Sequence, residues 1–328
     1  MIDISIVVVS YNHEKYIANT LESLVNQETN FNYEILVGDD CSKDNTLKVI
    51  LEYQSKYPML IRNVKRDNNL GATTNLYDLM QHARGRYIAF CEGDDYWCDK
   101  FRVQREIDFL DSNRQYSGVC GRTIPVDENN GELSVDFIDE TKKFWIFKKT
   151  EFTQGDYEQW LMPGHLSALT MRNYMLDDKH NYSVVLDAHK LVADRTLAMI
   201  CILNGVIKCE TTITSCYRFI IKPTGNNFMS QINRTNYRLD DFVMLIKQEK
   251  YAKSEFGIPL SLDIIKKNRL VGATVVWLTD RNEDNKNVLK GIINESGQKG
   301  RYTLYMIVVI LKKLFYWKIL KTDKRVTI

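Results

Sequence analysis

Residues 86–97 read Arg-Tyr-Ile-Ala-Phe-Cys-Glu-Gly-Asp-Asp-Tyr-Trp and join a short apolar run directly to an acidic cluster. The run over 87–91 has the length and the aromatic and β-branched content of a buried strand. Glu92, Asp94 and Asp95 follow it. Burying neighbouring carboxylates is costly, because each loses water and repels the others. A divalent cation among them removes both costs; the alternative is an acidic turn that caps the next helix.

Strand and helix patterns alternate in the chain before this stretch. Apolar runs typical of strands cover 4–9 and 33–37, and a further short strand is expected around 61–65. Apolar residues at helical spacing cover 17–25, 47–57 and 73–83. This alternation predicts an α/β protein with a doubly wound, mostly parallel sheet flanked by helices.

Polar or acidic residues follow three of the predicted strands. They are Ser10-Tyr11-Asn12, Asp39-Asp40 and Glu92-Gly93-Asp94-Asp95. Ligands of doubly wound sheets bind beyond the carboxyl ends of the strands, so these side chains line one candidate site. The sequence has no G-x-G-x-x-G after the first strand and no P-loop motif, which argues against dinucleotide and P-loop sites. Carboxylates can instead bind a nucleobase or ribose while a divalent ion neutralises a diphosphate.

Four segments, in this order, resemble the family 2 glycosyltransferases with the GT-A fold. The segments are Ser5-Ile6-Val7-Val8-Val9-Ser10-Tyr11-Asn12, Val37-Gly38-Asp39-Asp40-Cys41-Ser42-Lys43-Asp44-Asn45-Thr46, Asp67-Asn68-Asn69-Leu70-Gly71 and Glu92-Gly93-Asp94-Asp95-Tyr96-Trp97. The resemblance runs from residue 1 to about residue 225. It implies an inverting, metal-dependent transfer of a sugar from a nucleotide-diphosphate sugar, with a UDP-sugar expected, to a glycan or lipid-linked acceptor in cell-surface polysaccharide synthesis.

The resemblance also implies donor-binding roles for residues at the strand ends. Tyr11 and Asp39 would hold the nucleobase of the donor, with Ser10 nearby. Asp67 would also line the donor pocket.

In the acidic motif, Asp94 and Asp95 would bind Mn²⁺ or Mg²⁺ at the diphosphate, and Asp94 would contact the donor. The family usually has an aspartate where Glu92 stands and a glycine where Cys41 stands. The longer Glu92 is therefore expected to contact the sugar or a metal-bound water.

The second half of the chain offers three further sites, each with a structural alternative. His165 would touch the sugar or phosphates, although a histidine is more often structural. Asp194 would be the general base of the family pattern; the alternative is an acid that complements a helix dipole. Arg218 and Lys222 would reach the diphosphate from a closing lid, or else form a surface basic pair. The chain has no Q-x-x-R-W stretch, so we expect transfer of a single sugar.

The predicted organisation is a GT-A domain over 1–225 and a helical region over 226–328. Within the GT-A domain, 1–98 would be the nucleotide-sugar half and 99–225 the acceptor half. A helix is expected from Asp99 and a strand over 164–172. Between them, irregular structure with short strands is expected over 113–160, where Gly118 and Gly121 are interpreted as turn residues.

Charge is concentrated at the carboxyl end. Residues 299–328 hold eight basic side chains and one acid, a net +7, whereas the whole chain has a net charge of +2. The apolar run over 302–311 is too short to span a membrane. With its lysines it is typical of a helix at an anionic bilayer surface, the alternative being a helix packed on the catalytic domain with its lysines in water. We expect no nucleic-acid partner.

The seven scattered cysteines form no C-x-x-C pair, and the amino terminus lacks the features of a signal peptide. These observations predict reduced thiols and a cytoplasmic protein, peripheral on the inner face of the plasma membrane if the basic helix binds lipid. Two other functions stay open: a nucleotidyltransferase of sugar phosphates, and a non-catalytic nucleotide-sugar binder or scaffold.

Overall fold

The computed structural model describes residues 1–133, 149–177, 179–220 and 237–318, with the side chains of 317 and 318 excepted. The chain divides into two units. The first holds 1–157 and 161–220, and the second holds 158–160 and 221–328. The domain boundary predicted at residue 225 therefore lies in a segment, 221–236, that is outside the described residues.

The first half of the first unit alternates strands with helices. Its elements are β1 (Ile4–Ser10), α1 (Ile17–Val25), β2 (Tyr33–Asp39), α2 (Thr46–Lys56), β3 (Ile61–Asn63), α3 (Ala72–His82), β4 (Tyr87–Glu92), β5 (Tyr96–Trp97) and α4 (Arg102–Ser112). Asp99 does not begin α4 but accepts a hydrogen bond from the Phe101 backbone N–H (3.0 Å) just before it.

The second half of the first unit has longer strands. Its elements are β6 (Tyr116–Val126), β7 (Glu151–Phe152), α5 (Gln154–Glu158), β8 (Leu169–Arg172), α6 (Val184–Ala188), α7 (Asp194–Asn204) and β9 (Val206–Arg218). A short 3₁₀ turn over Leu166–Ala168 stands where the strand over 164–172 was predicted to begin.

The described strands form one nine-stranded mixed sheet, in the order β3-β2-β1-β4-β8-β6-β9-β5, with β7 also paired to β9. Strands β3, β2, β1 and β4 are mutually parallel, as predicted, while β8 pairs antiparallel with both β4 and β6. Strand β1 is central and its residues Ile4, Ile6 and Val8 are fully buried, which explains its continuous apolar sequence.

Strand β6 corrects the prediction of irregular structure and short strands over 113–160. Gly118 and Gly121 were interpreted as turn residues, yet both lie in this eleven-residue strand. A Cβ at Gly118 would collide with the Thr170 carbonyl oxygen, and a Cβ at Gly121 would collide with the Thr214 side chain. The two glycines therefore permit close strand packing rather than turns.

The described part of the second unit is helical. Its helices are α8 (Arg238–Phe256), α9 (Asp263–Thr279), α10 (Glu283–Glu295) and α11 (Lys299–Lys318). Phe242, Leu270, Ile292 and Tyr302 are buried together in its core. In the part of the chain that the structure describes, every helix is too short or too polar to cross a membrane.

Candidate active site

The carboxyl ends of three parallel strands bring the first predicted site residues together. Register pairs Ser10 of β1 with Asp39 of β2, and Val9 with Glu92 of β4. Ser10 and Asp39 are 3% and 5% exposed. These side chains share one edge of the sheet because the strands run in the same direction.

The loops that follow β1 and β2 are hydrogen-bonded to each other. Asp39 accepts bonds from the Ser42 backbone N–H (3.1 Å) and hydroxyl. The Ser42 hydroxyl in turn accepts a bond from the Asn12 backbone N–H (2.8 Å). Asn12 and Cys41 both have φ of 58°, the left-handed region that favours glycine. The glycine usual in the family at Cys41 thus matches a backbone requirement of this loop.

Tyr11 and Asp67 lie at more open positions. Tyr11 is half-buried directly after β1. Asp67 is exposed, 3.4 Å from the Lys65 amine, in a segment that the buried Asp40 holds through the backbone N–H groups of Leu70 (2.6 Å) and Gly71 (2.9 Å). The structure therefore brings Asp67 to the surface and does not place it among the buried acids.

The acidic loop after β4 is fixed by backbone contacts. The Gly93 N–H donates to the Val9 carbonyl oxygen (2.8 Å). From α1, the Thr20 hydroxyl bonds to the carbonyl oxygens of Gly93 (3.0 Å) and Asp95 (2.6 Å). A Cβ at position 93 would collide with Ser10 and His13, so glycine is needed for this approach.

Asp95 is the most enclosed acid of the loop, at 1% exposed. One carboxylate oxygen accepts a bond from the Arg218 backbone N–H (2.9 Å), and the other accepts one from the Ser167 hydroxyl (2.5 Å). Burial, followed by the charges of Asp94 and Glu92, raises the Asp95 pKa well above its ordinary value despite these bonds. Asp95 therefore holds the loop as well as carrying an acidic group.

Asp94 differs from its neighbour. Its side chain is 23% exposed, and its Oδ2 lies 3.8 Å from the His13 Nε2. The other His13 ring nitrogen, Nδ1, is 3.3 Å from the Ser10 hydroxyl. The Asp94 carboxylate thus reaches solvent beside the ends of β1 and β4, as does the Glu92 side chain, which is 36% exposed.

Glu92 and His165 face each other, with 3.4 Å between Glu92 Oε2 and His165 Nε2. Loss of hydration, with the charges of Asp94 and Asp194, raises the Glu92 pKa to about 8. Burial lowers the His165 pKa to about 3, so its imidazole is neutral at physiological pH.

One ligand atom each from Glu92, Asp95 and His165 lies within 4.8 Å of the others. Carboxylate oxygens and a neutral imidazole suit a divalent cation such as Mn²⁺. The raised pKa values of Glu92 and Asp95 also fit a metal site, because a bound cation would favour the charged form of each carboxylate. The residues present therefore fit the predicted metal.

Asp194 begins α7 and is half-buried. It lines a small cavity of about 10 Å³ together with His165, Cys120 and Gly164. Its charge also contributes to the raised pKa of Glu92. The structure thus brings the predicted base to the same side of the sheet as the acidic loop.

Arg218, one of the two predicted lid residues, is buried in the protein. The Arg218 side chain is 3% exposed, and its guanidinium donates to the carbonyl oxygens of Asp94 (2.9 Å) and Asp127 (2.8 Å) and to the Asn130 amide oxygen (2.7 Å). Arg218 therefore supports the acidic loop from within the protein, in place of the mobile role or surface pair that the sequence suggested. Lys222 lies outside the described residues.

The sequence interpretation missed three residues that shape this site: His13 beside Asp94, and Thr20 and Ser167 beneath the acidic loop. His13 directly follows a polar strand end, a signal that was available. Thr20 and Ser167 carried no signal, because each meets the loop only through the tertiary fold.

A family model described as "Glycosyl transferase family 2" matches residues 5–180, more than half of the chain. The chain belongs to this family. The acidic loop, the ends of β1 and β2 and His165 all fall within the matched residues, whereas Asp194 and Arg218 follow them.

Curated relatives share part of their length with this family 2 chain. The putative glycosyltransferase EpsE of Bacillus subtilis is 30% identical over 125 residues, 38% of this chain and 44% of EpsE. The poly(ribitol-phosphate) β-N-acetylglucosaminyltransferase TarS of Staphylococcus aureus is 30% identical over 133 residues, 38% of this chain and 23% of TarS. The match thus covers less than half of the length of either relative.

The solved structures extend the likeness to nearly the whole chain. The crystal structure of residues 1–349 of S. aureus TarS in complex with UDP-GlcNAc aligns with a TM-score of 0.62 at 18% identity, covering 95% of this chain and 85% of that one. At this identity the likeness concerns the fold. The predicted GT-A fold is confirmed.

Proposed function

We propose that this chain is an inverting, metal-dependent glycosyltransferase that moves one sugar from a nucleotide-diphosphate sugar to a glycan or lipid-linked acceptor. The observation that carries the proposal is the meeting of Asp39, Glu92, Asp94 and Asp95 at one edge of a family 2 fold, with Asp194 on the same side. Four neighbouring carboxylates at a sheet edge destabilise the fold unless a cation and hydrogen-bond donors contact them. A nucleotide sugar with a bound metal ion would supply the cation and the donors.

The nucleotide is proposed to lie against the ends of β1 and β2. Asp39 has lone pairs beyond those used by Ser42 and can accept a nucleobase N–H, while the half-buried Tyr11 offers a ring for stacking. A UDP-sugar is the proposed donor. The name of TarS and its solved complex with UDP-GlcNAc support this choice.

The acidic loop is proposed to hold the cation. Asp94 is assigned as a ligand because it reaches solvent, and Asp95, Glu92 and His165 are assigned to the same site because their ligand atoms lie within 4.8 Å of one another. A bound Mn²⁺ or Mg²⁺ would offset charge on the diphosphate and on the departing nucleoside diphosphate. The buried bonds of Asp95 to Ser167 and Arg218 keep the loop in position for this contact.

Asp194 is proposed as the general base. Inversion requires a carboxylate that takes the proton from the acceptor hydroxyl as its oxygen attacks the anomeric carbon. Asp194 lines the cavity beside His165, and it keeps its carboxylate at the start of α7, where the helix dipole favours the charged form.

The proposed setting is cell-surface polysaccharide synthesis at the cytoplasmic face of the plasma membrane. The names of two relatives support it: TarS, named for transfer to poly(ribitol-phosphate), and the putative teichuronic acid biosynthesis glycosyltransferase TuaG of Bacillus subtilis. A lipid-linked acceptor would be met at that face.

A panel of nucleotide sugars tests the proposed reaction. Purified protein is incubated with each UDP-, GDP-, dTDP- and CDP-sugar, with Mn²⁺ or with EDTA, and released nucleoside diphosphate is measured. We expect slow hydrolysis of one donor class that requires metal. Release of pyrophosphate from a nucleoside triphosphate and a sugar phosphate would instead show a nucleotidyltransferase. Binding of a nucleotide sugar with no turnover, with or without an acceptor, would show a non-catalytic binding protein.

A further inference from the structure

Helix α11 has two unlike faces. Tyr302 and Val309 are 5% and 0% exposed and pack inward, Tyr302 against the Phe242 ring at 5.6 Å. Lys313 is also buried, at 5% exposed. This face is therefore part of the core of the second unit, and one of the lysines of the helix is not in water.

The opposite face of α11 is apolar and exposed. It consists of Leu304, Ile307, Leu311 and Phe315, whose exposed fractions are 58%, 43%, 62% and 47%. Their spacing of three, four and four residues places them in one stripe of a helix with 3.6 residues per turn. We call this stripe the α11 face. The other large exposed apolar side chains of the described residues are spread over many elements, so the clustering is particular to this helix.

The helix that carries the α11 face contains cations and no acids of its own. Residues 299–318 contain five basic residues and no aspartate or glutamate. The exposed Arg301 and Lys312 lie along one side of the stripe, about 60–80° around the helix from Leu304. An apolar stripe flanked by cations matches a surface that is apolar inside and anionic at its edge.

We propose that the α11 face docks on an anionic lipid surface, with α11 lying in the plane of the membrane. The burial of Tyr302 and Val309 on the other side of the helix keeps one face on protein while the stripe enters the lipid boundary. A second copy of the chain is the less suitable occupant. Two-fold pairing of this face would bring Arg301 and Lys312 close to the same cations of the partner.

This inference deepens the proposed location and does not depend on the proposed chemistry. Deletion of the basic segment is an unsuitable test, since it would remove core residues such as Tyr302 and Val309. Point substitutions on the exposed side avoid that damage.

The test is sedimentation with vesicles of phosphatidylcholine alone or mixed with phosphatidylglycerol. We expect the wild-type chain to bind the mixed vesicles and to bind neutral vesicles much less, with binding weakened by added salt. The double variant Leu304→Ser/Leu311→Ser should lose at least about tenfold in affinity, because it removes two large apolar anchors. Its matched control is Leu51→Ser/Met59→Ser, which removes exposed apolar residues of the first unit (47% and 94% exposed) and should bind as wild type.

Two double variants that each remove two positive charges separate the electrostatic contribution to vesicle binding from the apolar one. Arg301→Gln/Lys312→Gln should reduce binding to the mixed vesicles and lower its salt dependence, whereas Lys48→Gln/Lys290→Gln, of equal charge change, should have a smaller effect. Donor hydrolysis should stay at the wild-type rate in all of these variants, so a failed docking result is distinguishable from a failed enzyme.

Three outcomes would overturn the proposal. They are equal binding to neutral and mixed vesicles, wild-type binding by Leu304→Ser/Leu311→Ser, and a dimer in light scattering that this variant converts to a monomer. The last would assign the α11 face to a contact between copies.

Discussion

The two ends of the parallel part of the sheet differ in how their carboxylates are paired. At the start of β2, Glu34 is 2% exposed and accepts bonds from the Arg84 guanidinium Nε (2.9 Å), the Arg84 backbone N–H (3.0 Å) and the Ser5 hydroxyl (2.7 Å). Burial favours the neutral acid, but the bonds from Arg84 and Ser5 prevail and the Glu34 pKa is lowered.

At the carboxyl end of the sheet, the corresponding acids lack such a cation. Among the described residues, the basic groups within 3.8 Å of the Glu92, Asp94 and Asp95 carboxylates are the imidazoles of His13 and His165, and that of His165 is neutral. The pKa values of Glu92 and Asp95 are raised instead. The difference supports the proposal that a ligand, rather than the fold, supplies the cation for the acids at the carboxyl end.

The largest effect expected from this comparison is on the transfer rate of Asp194→Asn. Loss of a general base typically lowers the rate by about 10²–10⁴-fold, whereas nucleotide and metal binding should be retained. Asp108→Asn, an exposed change on α4, is the control. Steady-state transfer by Asp194→Asn at the wild-type rate would remove the residue from the mechanism.

A smaller effect should separate the two neighbouring aspartates. Asp94→Asn should weaken Mn²⁺ binding by about tenfold or more with little change in unfolding free energy, because its carboxylate reaches solvent. Asp95→Asn should weaken Mn²⁺ binding as well, and unlike Asp94→Asn it should also change the free energy of unfolding by about 1–3 kcal/mol, because a buried acceptor of Ser167 and the Arg218 backbone is altered. Calorimetric Mn²⁺ titration and chemical unfolding of both variants measure the two quantities, and the assignment fails if the two variants behave alike.

How far the sequence predicted these features depends on how local each signal is. The strands of the first half were recognisable because apolar runs such as 4–9 and 87–91 are continuous. Strand β6 was not recognisable, because Gly118 and Gly121 are typical of turns. Their role in close strand packing depends on Thr170 and Thr214, which lie far away in the sequence.

The same distinction applies to the candidate site. The acids at the strand ends were identified from local sequence, since parallel strands end at one edge. The difference in surroundings between Asp94 and Asp95 could not be identified from local sequence. Asp95 is hydrogen-bonded to Ser167 and Arg218, which are more than 70 residues away along the chain. The exposed face of α11 likewise depends on which side of the helix the second unit covers.

The smallest effect concerns the amino end of the sheet. Glu34→Gln should lower the free energy of unfolding by about 1–3 kcal/mol near neutral pH, because a charged acceptor of Arg84 is lost. Since the folded pKa of Glu34 lies below its ordinary value of 4.5, its stabilisation is present above that pH and disappears as the pH falls through the folded pKa.

Melting temperatures across the acid range test this sign. The gap between the wild-type chain and Glu34→Gln should close on acidification, and Glu52→Gln, an exposed change on α2, should show little gap at any pH. A gap that stays constant from neutral to acidic pH would argue against the built-in pairing of Glu34 with Arg84.

The most direct test of an external cation at the carboxyl end is the melting temperature of the wild-type chain with UDP and Mn²⁺, separately and together. We predict a large increase only when both are present, and loss of most of it in Asp94→Asn, because a ligand that binds the native state stabilises it in proportion to its affinity. An equal increase with UDP in EDTA, or no response to UDP with Mn²⁺, would contradict the account.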